Sequence, residues 1–145
     1  MPLFTRTCAA LAALAAIGAL PAPAAAEACG VDRMAVERRI AALEQSYSLV
    51  LSDISCDLPQ LPAHLLMCDA AEAADDTLWR MGRLDDLAWV HAMENATGQQ
   101  VDPSDPPRDT DFIATRDACT ETACLCAVLV DHTNASLGGT SPYPQ

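Results

Sequence analysis

Sulfur and imidazole are the groups whose positions in this sequence could support chemistry. Cysteines stand at Cys8, Cys29, Cys56, Cys68, Cys119, Cys124 and Cys126, and histidines at His64, His91 and His132. His64 precedes Cys68 by four residues, one helical turn, so an imidazole and a thiolate could face one point. Cys119, Cys124 and Cys126 could add further sulfur ligands. Zinc sites, however, are marked by C-x2-C pairs or H-E-x-x-H helices, and neither occurs. His91 falls on an apolar stripe, where a histidine at the rim is the ordinary case. His132 lies towards the end of a helical stretch, where positive charge is favoured. There is no nucleophile elbow, no cysteine–histidine pairing with a third member, and no glycine-rich phosphate loop. Carboxylate pairs such as Asp75-Asp76 and Asp85-Asp86 are what twenty acids produce by chance. The sequence therefore reads as a protein with no catalytic residues, cofactor or metal. A His64–thiolate metal site is the alternative chemistry.

Whether the thiols are free depends on the compartment. Arg6 gives a positive start, residues 8–20 are apolar, and Pro21, Pro23 and Ala24-Ala25-Ala26 form a small-residue region ahead of Glu27. This pattern predicts a signal peptide over 1–26. The apolar run falls short of the ~20 residues of a spanning helix. With no other long apolar run, a soluble periplasmic or secreted protein without a membrane span is expected. Removing 1–26 leaves 119 residues, enough for one core, and six cysteines. An even count in a small exported chain reads as disulfides, but spacing alone does not choose the pairs. Seven arginines then face twenty acids with no lysine, a net charge of −13. Such a charge disfavours nucleic acid and anionic lipid and attracts cationic partners.

The periodicity is helical throughout. Val36, Ile40, Leu43, Tyr47, Val50 and Ile54 alternate steps of four and three, which predicts one amphipathic helix from Asp32, its N-cap, to Ile54, making 27–53 an N-terminal helical segment. Pro59 and Pro62 make 56–62 a connection between the flanking cysteines Cys56 and Cys68, and a helix starts at about Pro62. It runs on through 70–74, and Asp75-Asp76-Thr77 is either a break or an exposed turn. A further helix over 78–93 uses Leu78, Met81, Leu84, Leu87 and His91 and stops near Gly98. Gly82 within it marks close packing or a bend. Pro103, Pro106 and Pro107 with Asp102, Asp105, Asp109 and Asp111 make an exposed acidic loop, without the ligand order of a calcium-binding EF-hand. Asp109 or Asp111 caps a short helix to Cys119. Thr120 and Glu121 open a last one, and 138–145 is a disordered tail. The fold class is all-α, a small disulfide-stapled bundle of four to five helices.

One further pattern joins these elements. Cys56 and Cys68 form C-x11-C, with Ile54 before and Met67 and Asp69 beside them. After a helical segment come Phe112, then Arg116-Asp117-Ala118-Cys119 and Ala123-Cys124-Leu125. This arrangement resembles the LprI-type domain family, small exported bacterial helical proteins whose founding example is described as a lysozyme inhibitor. The resemblance covers 54–137. Phe112 stands where the family has tryptophan, Cys126 is extra, and Cys29 with the first helix lies outside the match. Local pairing of the family cysteines implies Cys56–Cys68 and Cys119–Cys124, leaving Cys29 with Cys126. Cys119 and Cys124 cannot bridge within an unbroken helix, where five residues span about 7.5 Å of axis. That pairing needs a break near Thr120-Glu121 with Thr120 as N-cap, and bridges crossing between helices are the competing arrangement. The resemblance implies a cell-envelope interaction protein with a lysozyme as candidate partner; the negative charge suits a basic one, and the acidic loop with Asp102, Asp105, Asp109 and Asp111 is the contact expected from that charge. A structural or stress-related envelope protein is the other reading.

Overall fold

Asp32 opens the first helix, its Oδ1 accepting from the amides of Met34 and Ala35 at 2.9 and 3.2 Å. In the computed structural model, which describes residues 28–47, 50–102 and 104–145, helix α1 spans Arg33–Leu43. The expected signal peptide lies outside the described residues. The helix is half the length its apolar stripe predicts. Val36, Ile40 and Leu43 are buried on it, while Tyr47, Val50 and Ile54 reach the same core from irregular chain. The physical reason is that side chains elsewhere take the bonds that a longer helix would have made. Arg83 donates to the Val50 carbonyl at 2.7 Å and Arg108 to that of Leu51 at 3.1 Å; separately, the Tyr47 side chain is anchored by its hydroxyl donating to Glu94 at 3.2 Å.

Helix α2 is Pro62–Glu72, with proline at its first position, where no amide is needed. It ends at Ala73, and Asp75 then accepts from both the amide and the hydroxyl of Thr77, so the segment before α3 is a true break. Helix α3, Thr77–Thr97, is the central element, on which α1, α2 and α5 all pack. Gly98, at φ 65°, closes it in the left-handed conformation that glycine permits. Gly82 marks close packing: a methyl group there would run into Met67 Cε.

Helix α4 is Thr110–Asp117 and α5 is Thr122–Leu137. Asp109 caps α4, accepting from the amides of Asp111 and Phe112 at 3.1 and 3.0 Å. The expected break falls between α4 and α5, but Thr120 is not the cap. Glu121 holds that position with extended backbone and no side-chain bond. Three disulfides lock the bundle, Cys29–Cys126, Cys56–Cys68 and Cys119–Cys124, the pairs that the resemblance implies. The last residues are not the disordered tail of the sequence reading. Residues Gly138–Thr140 form a 3-10 turn, Tyr143 is 4% exposed, and Asn134 donates to the Pro144 carbonyl at 3.0 Å. Arg39 also donates to the Thr140 hydroxyl and Gln145 to the Asn134 side chain, so the order of this segment comes from contacts distant in sequence and not from a periodicity of its own. Among the described residues every regular element is helical, and no helix is long and apolar enough to cross a membrane.

Candidate functional site

The buried stripe of α3, through Leu78, Met81, Leu84 and Ala88, is interrupted by a carboxylate. Asp85 lies on that stripe and is 3% exposed. Burying a charge is costly unless donors meet it, and α5 supplies them. Thr133 donates its hydroxyl to Asp85 Oδ1 at 2.8 Å, and His132 Nδ1 lies 2.9 Å from both carboxylate oxygens. The other ring nitrogen, Nε2, faces Asp109 Oδ2 at 3.4 Å, off the line of a hydrogen bond. The imidazole stacks on Phe112, centroids 3.8 Å apart and planes at 11°, with Trp89 tilted beside it at 5.3 Å. Trp89 in turn donates to the Pro107 carbonyl at 2.7 Å, holding the acidic loop against the bundle.

Burial works against the imidazolium, but Asp85 first and Asp109 second outweigh it, and the His132 pKa is raised. With a carboxylate facing each nitrogen, electrostatics favours the doubly protonated ring, although only Nδ1 makes a hydrogen bond. Asp85 is pushed up by burial, against the donors from His132 and Thr133.

A second cluster sits at the start of the α4–α5 corner. Arg116, buried on α4, makes a two-pronged contact with Asp53 at 2.8 and 2.7 Å and also donates to Asp117 at 2.9 and 2.8 Å. His64 Nε2 lies 3.1 Å from the same Asp117 oxygen. Burial opposes the Asp53 charge, but the Arg116 hydrogen bonds and charge hold its pKa below the usual range. This clamp ties the irregular chain after α1 to α4 and α2.

Between these clusters lies a cavity of about 340 Å³, walled by Val50, Leu51, Ile54, Met67, Trp79 and Leu129. Asp86 faces it, as do Arg83 and Arg116. Water reaches Asp86 through the mouth of the cavity, yet protein surrounds it on most sides. Burial, then the charges of Asp85 and Asp53, push its pKa up to about 7, against Arg108 and the Ser52 hydroxyl.

The four loop carboxylates are not brought together as one docking patch. Asp102 turns back on Ser104, accepting from its amide at 2.9 Å and its hydroxyl at 2.7 Å. Asp105 and Asp111 are exposed, whereas Asp109 points inward to cap α4 and meet His132. The alternative metal site is not assembled either. Cys68 is joined to Cys56, His64 faces Asp117, and the remaining described cysteines are likewise in disulfides. His91 lies at the rim, 2.9 Å from the Asn95 amide nitrogen. Among the described residues no three histidine, cysteine or acidic side chains are placed to hold a metal ion.

Sequence reasoning passed over Asp85, Asp86, Asp53 and the inward role of His132. The available signal was positional: Asp85 occupies a place on the α3 stripe where period alone requires an apolar residue. Comparison with family models, curated proteins and solved structures gives no match for this chain.

Proposed function

We propose that this is an exported cell-envelope protein without catalytic activity that docks on a basic protein partner. A lysozyme is the candidate that the LprI-type resemblance supplies. The observation that supports the reading is how the charges are distributed. Six of the seven arginines of the described region are held by oxygen atoms of the chain at 3.1 Å or less, and the seventh, Arg38, lies exposed 3.8 Å from Asp32. Arg33, Arg38, Arg80, Arg83 and Arg116 face carboxylates, Arg39 donates to Thr140, and Arg108 donates to a carbonyl. Exposed acids such as Asp69, Glu72, Asp105, Asp111 and Glu121 make no ion pair among the described residues. The field outside the molecule is therefore acidic, and it steers a basic partner while repelling nucleic acid. Three disulfides keep the scaffold ordered before docking, which lowers the entropic cost of association.

The test is binding of the natively exported protein, disulfides intact, to a basic lysozyme, followed with lysozyme activity on cell-wall substrate. Binding at low ionic strength that weakens steeply towards physiological salt is expected, because exposed charges are screened over about 8 Å there. No binding and no inhibition at low ionic strength overturn the reading.

A further inference from the structure

We propose that the cavity between α3, α4 and the chain after α1 binds one aliphatic ammonium or guanidinium group. Its methylene stem lies along Leu51, Ile54 and Trp79, and its charge lies against Asp86. The volume, about 340 Å³, is at the lower end of the range of small-ligand pockets. The choice of ligand follows from which polar groups on the wall are already engaged. Arg83 is held by Glu44 and the Val50 carbonyl, and Arg116 by Asp53 and Asp117. Asp85 is taken by His132 and Thr133. Asp86 remains, bonded to the Ser52 hydroxyl but in no ion pair among the described residues. An anion would meet two carboxylates there, and a neutral ligand would leave the Asp86 charge poorly solvated. An organic cation neutralises it, and the indole of Trp79 on the same wall favours positive charge.

The groups facing Asp86 set the expected pH dependence. Asp85 shares its helix, Asp53 and Ser52 lie on the chain after α1, and Arg108 precedes α4. Arg83 on α3, Arg116 on α4, Asp109 at the start of α4 and His132 on α5 complete the set. The arginines stay charged, and Asp53 is already ionised at neutral pH because Arg116 lowers its pKa. Loss of the His132 proton at higher pH adds negative character, in the same direction as ionisation of Asp86. Affinity for a cation therefore rises as pH rises through about 7.

The experiment titrates the natively exported protein with n-butylammonium, n-butylguanidinium and 1-butanol, by calorimetry and tryptophan fluorescence. Both cations are expected to bind at least about ten-fold tighter than the alcohol, and about ten-fold tighter at pH 8 than at pH 6. Asp86→Asn is expected to lose about ten-fold or more in cation affinity, and Asp131→Asn, on the exposed side of α5, to lose none. Should Asp86→Asn fail to fold, the pH series on the unaltered protein decides by itself. Absent binding, equal affinity for the alcohol, indifference to pH or unchanged affinity in folded Asp86→Asn overturns the proposal. A final arm asks where the cation comes from. Displacement of bound basic lysozyme by butylammonium beyond that caused by sodium chloride at the same ionic strength identifies a lysine or arginine side chain of the partner. Butylammonium binding without displacement, or with no lysozyme binding at all, identifies a free amine. Either result upholds the cavity's chemistry, so failure of the docking reading is separable from failure of this one.

Discussion

Replacing Asp86 with asparagine should make this protein more stable, and increasingly so as pH rises. The carboxyl carries a pKa of about 7 in the folded chain against an ordinary 3.8. A folded-state pKa raised in this way means that the native state binds the proton more tightly than the unfolded chain does. The contribution is fully present below 3.8 and is lost as pH rises through about 7. Each pH unit of difference corresponds to about 1.4 kcal/mol, so Asp86 costs about 4 kcal/mol above pH 7, where it is ionised in the fold, and about 1.5 kcal/mol at pH 5, where folding makes it take up a proton. Water entering the cavity mouth screens part of this. Between pH 5 and pH 8 the advantage of Asp86→Asn should therefore grow by about 1–2.5 kcal/mol.

Urea denaturation at the two pH values, with disulfides intact, reads this as a change in midpoint at constant slope. His132 also titrates. Its raised pKa means that its contribution is lost as pH rises through the folded value. That loss occurs in both proteins and cancels in the difference between them. An advantage that is the same at pH 5 and pH 8, or a mutant less stable at pH 8, would refute the account of Asp86 as a poorly solvated charge.

Three further outcomes follow from the same geometry. Removing Cys29–Cys126, which closes a separation of 97 residues, should cost about 4–5 kcal/mol in the chain-entropy account, against about 2 kcal/mol for Cys119–Cys124 at separation 5. Equal losses from the paired alanine variants in urea would count against it. Arg116→Ala should destabilise by about 3–5 kcal/mol by stranding Asp53 and Asp117, and lysine should recover less than half because it lacks the fork. A lysine variant with full thermal stability would show that charge alone suffices. Tyr143→Ala should cost about 3 kcal/mol in the same measurement, whereas a tail free of the core would lose nothing.

The helices were legible where a local signal was sufficient. Asp32 and Asp109 as caps, Pro62 at a first turn and Gly98 as a stop each act within a few residues, and each sits where its chemistry predicts. The first helix failed because periodicity reports burial, not backbone. All six stripe residues are buried, but three are carried by chain whose carbonyls and tyrosine bind Arg83, Arg108 and Glu94. Those partners lie 33 to 57 residues away in sequence, beyond any local window. The site was hidden for the same reason. Asp85, His132 and Asp109 converge from α3, α5 and the start of α4, and none carries a motif. The tail was misread because its order depends on Tyr143 and on the Asn134 side chain, neither of which leaves a periodic trace.

The arginines explain why the charge left over is negative both outside the fold and within it. A chain without lysine has few cations, and here every described arginine except the exposed Arg38 braces one segment against another or an adjacent turn. Arg116 joins the chain after α1 to α4, Arg83 joins that same chain to α3, and Arg33 joins α1 to the break before α3. Freeing Arg83, Arg108 or Arg116 for an outside ligand would release the chain after α1, which has no regular structure of its own to hold it. The acids are under no such constraint. Those on the surface remain ionised at little cost, while Asp86 remains in the cavity wall at a cost to stability. A neutral residue of the same shape would remove that cost, so the acid there is what a folded scaffold alone does not require. Arg83 and Arg116 on the cavity wall and Arg108 near Asp86 are each bound within the chain, so at both places a cation without an internal partner has to come from outside. A single basic side chain entering the cavity from a docked partner would meet both needs at once.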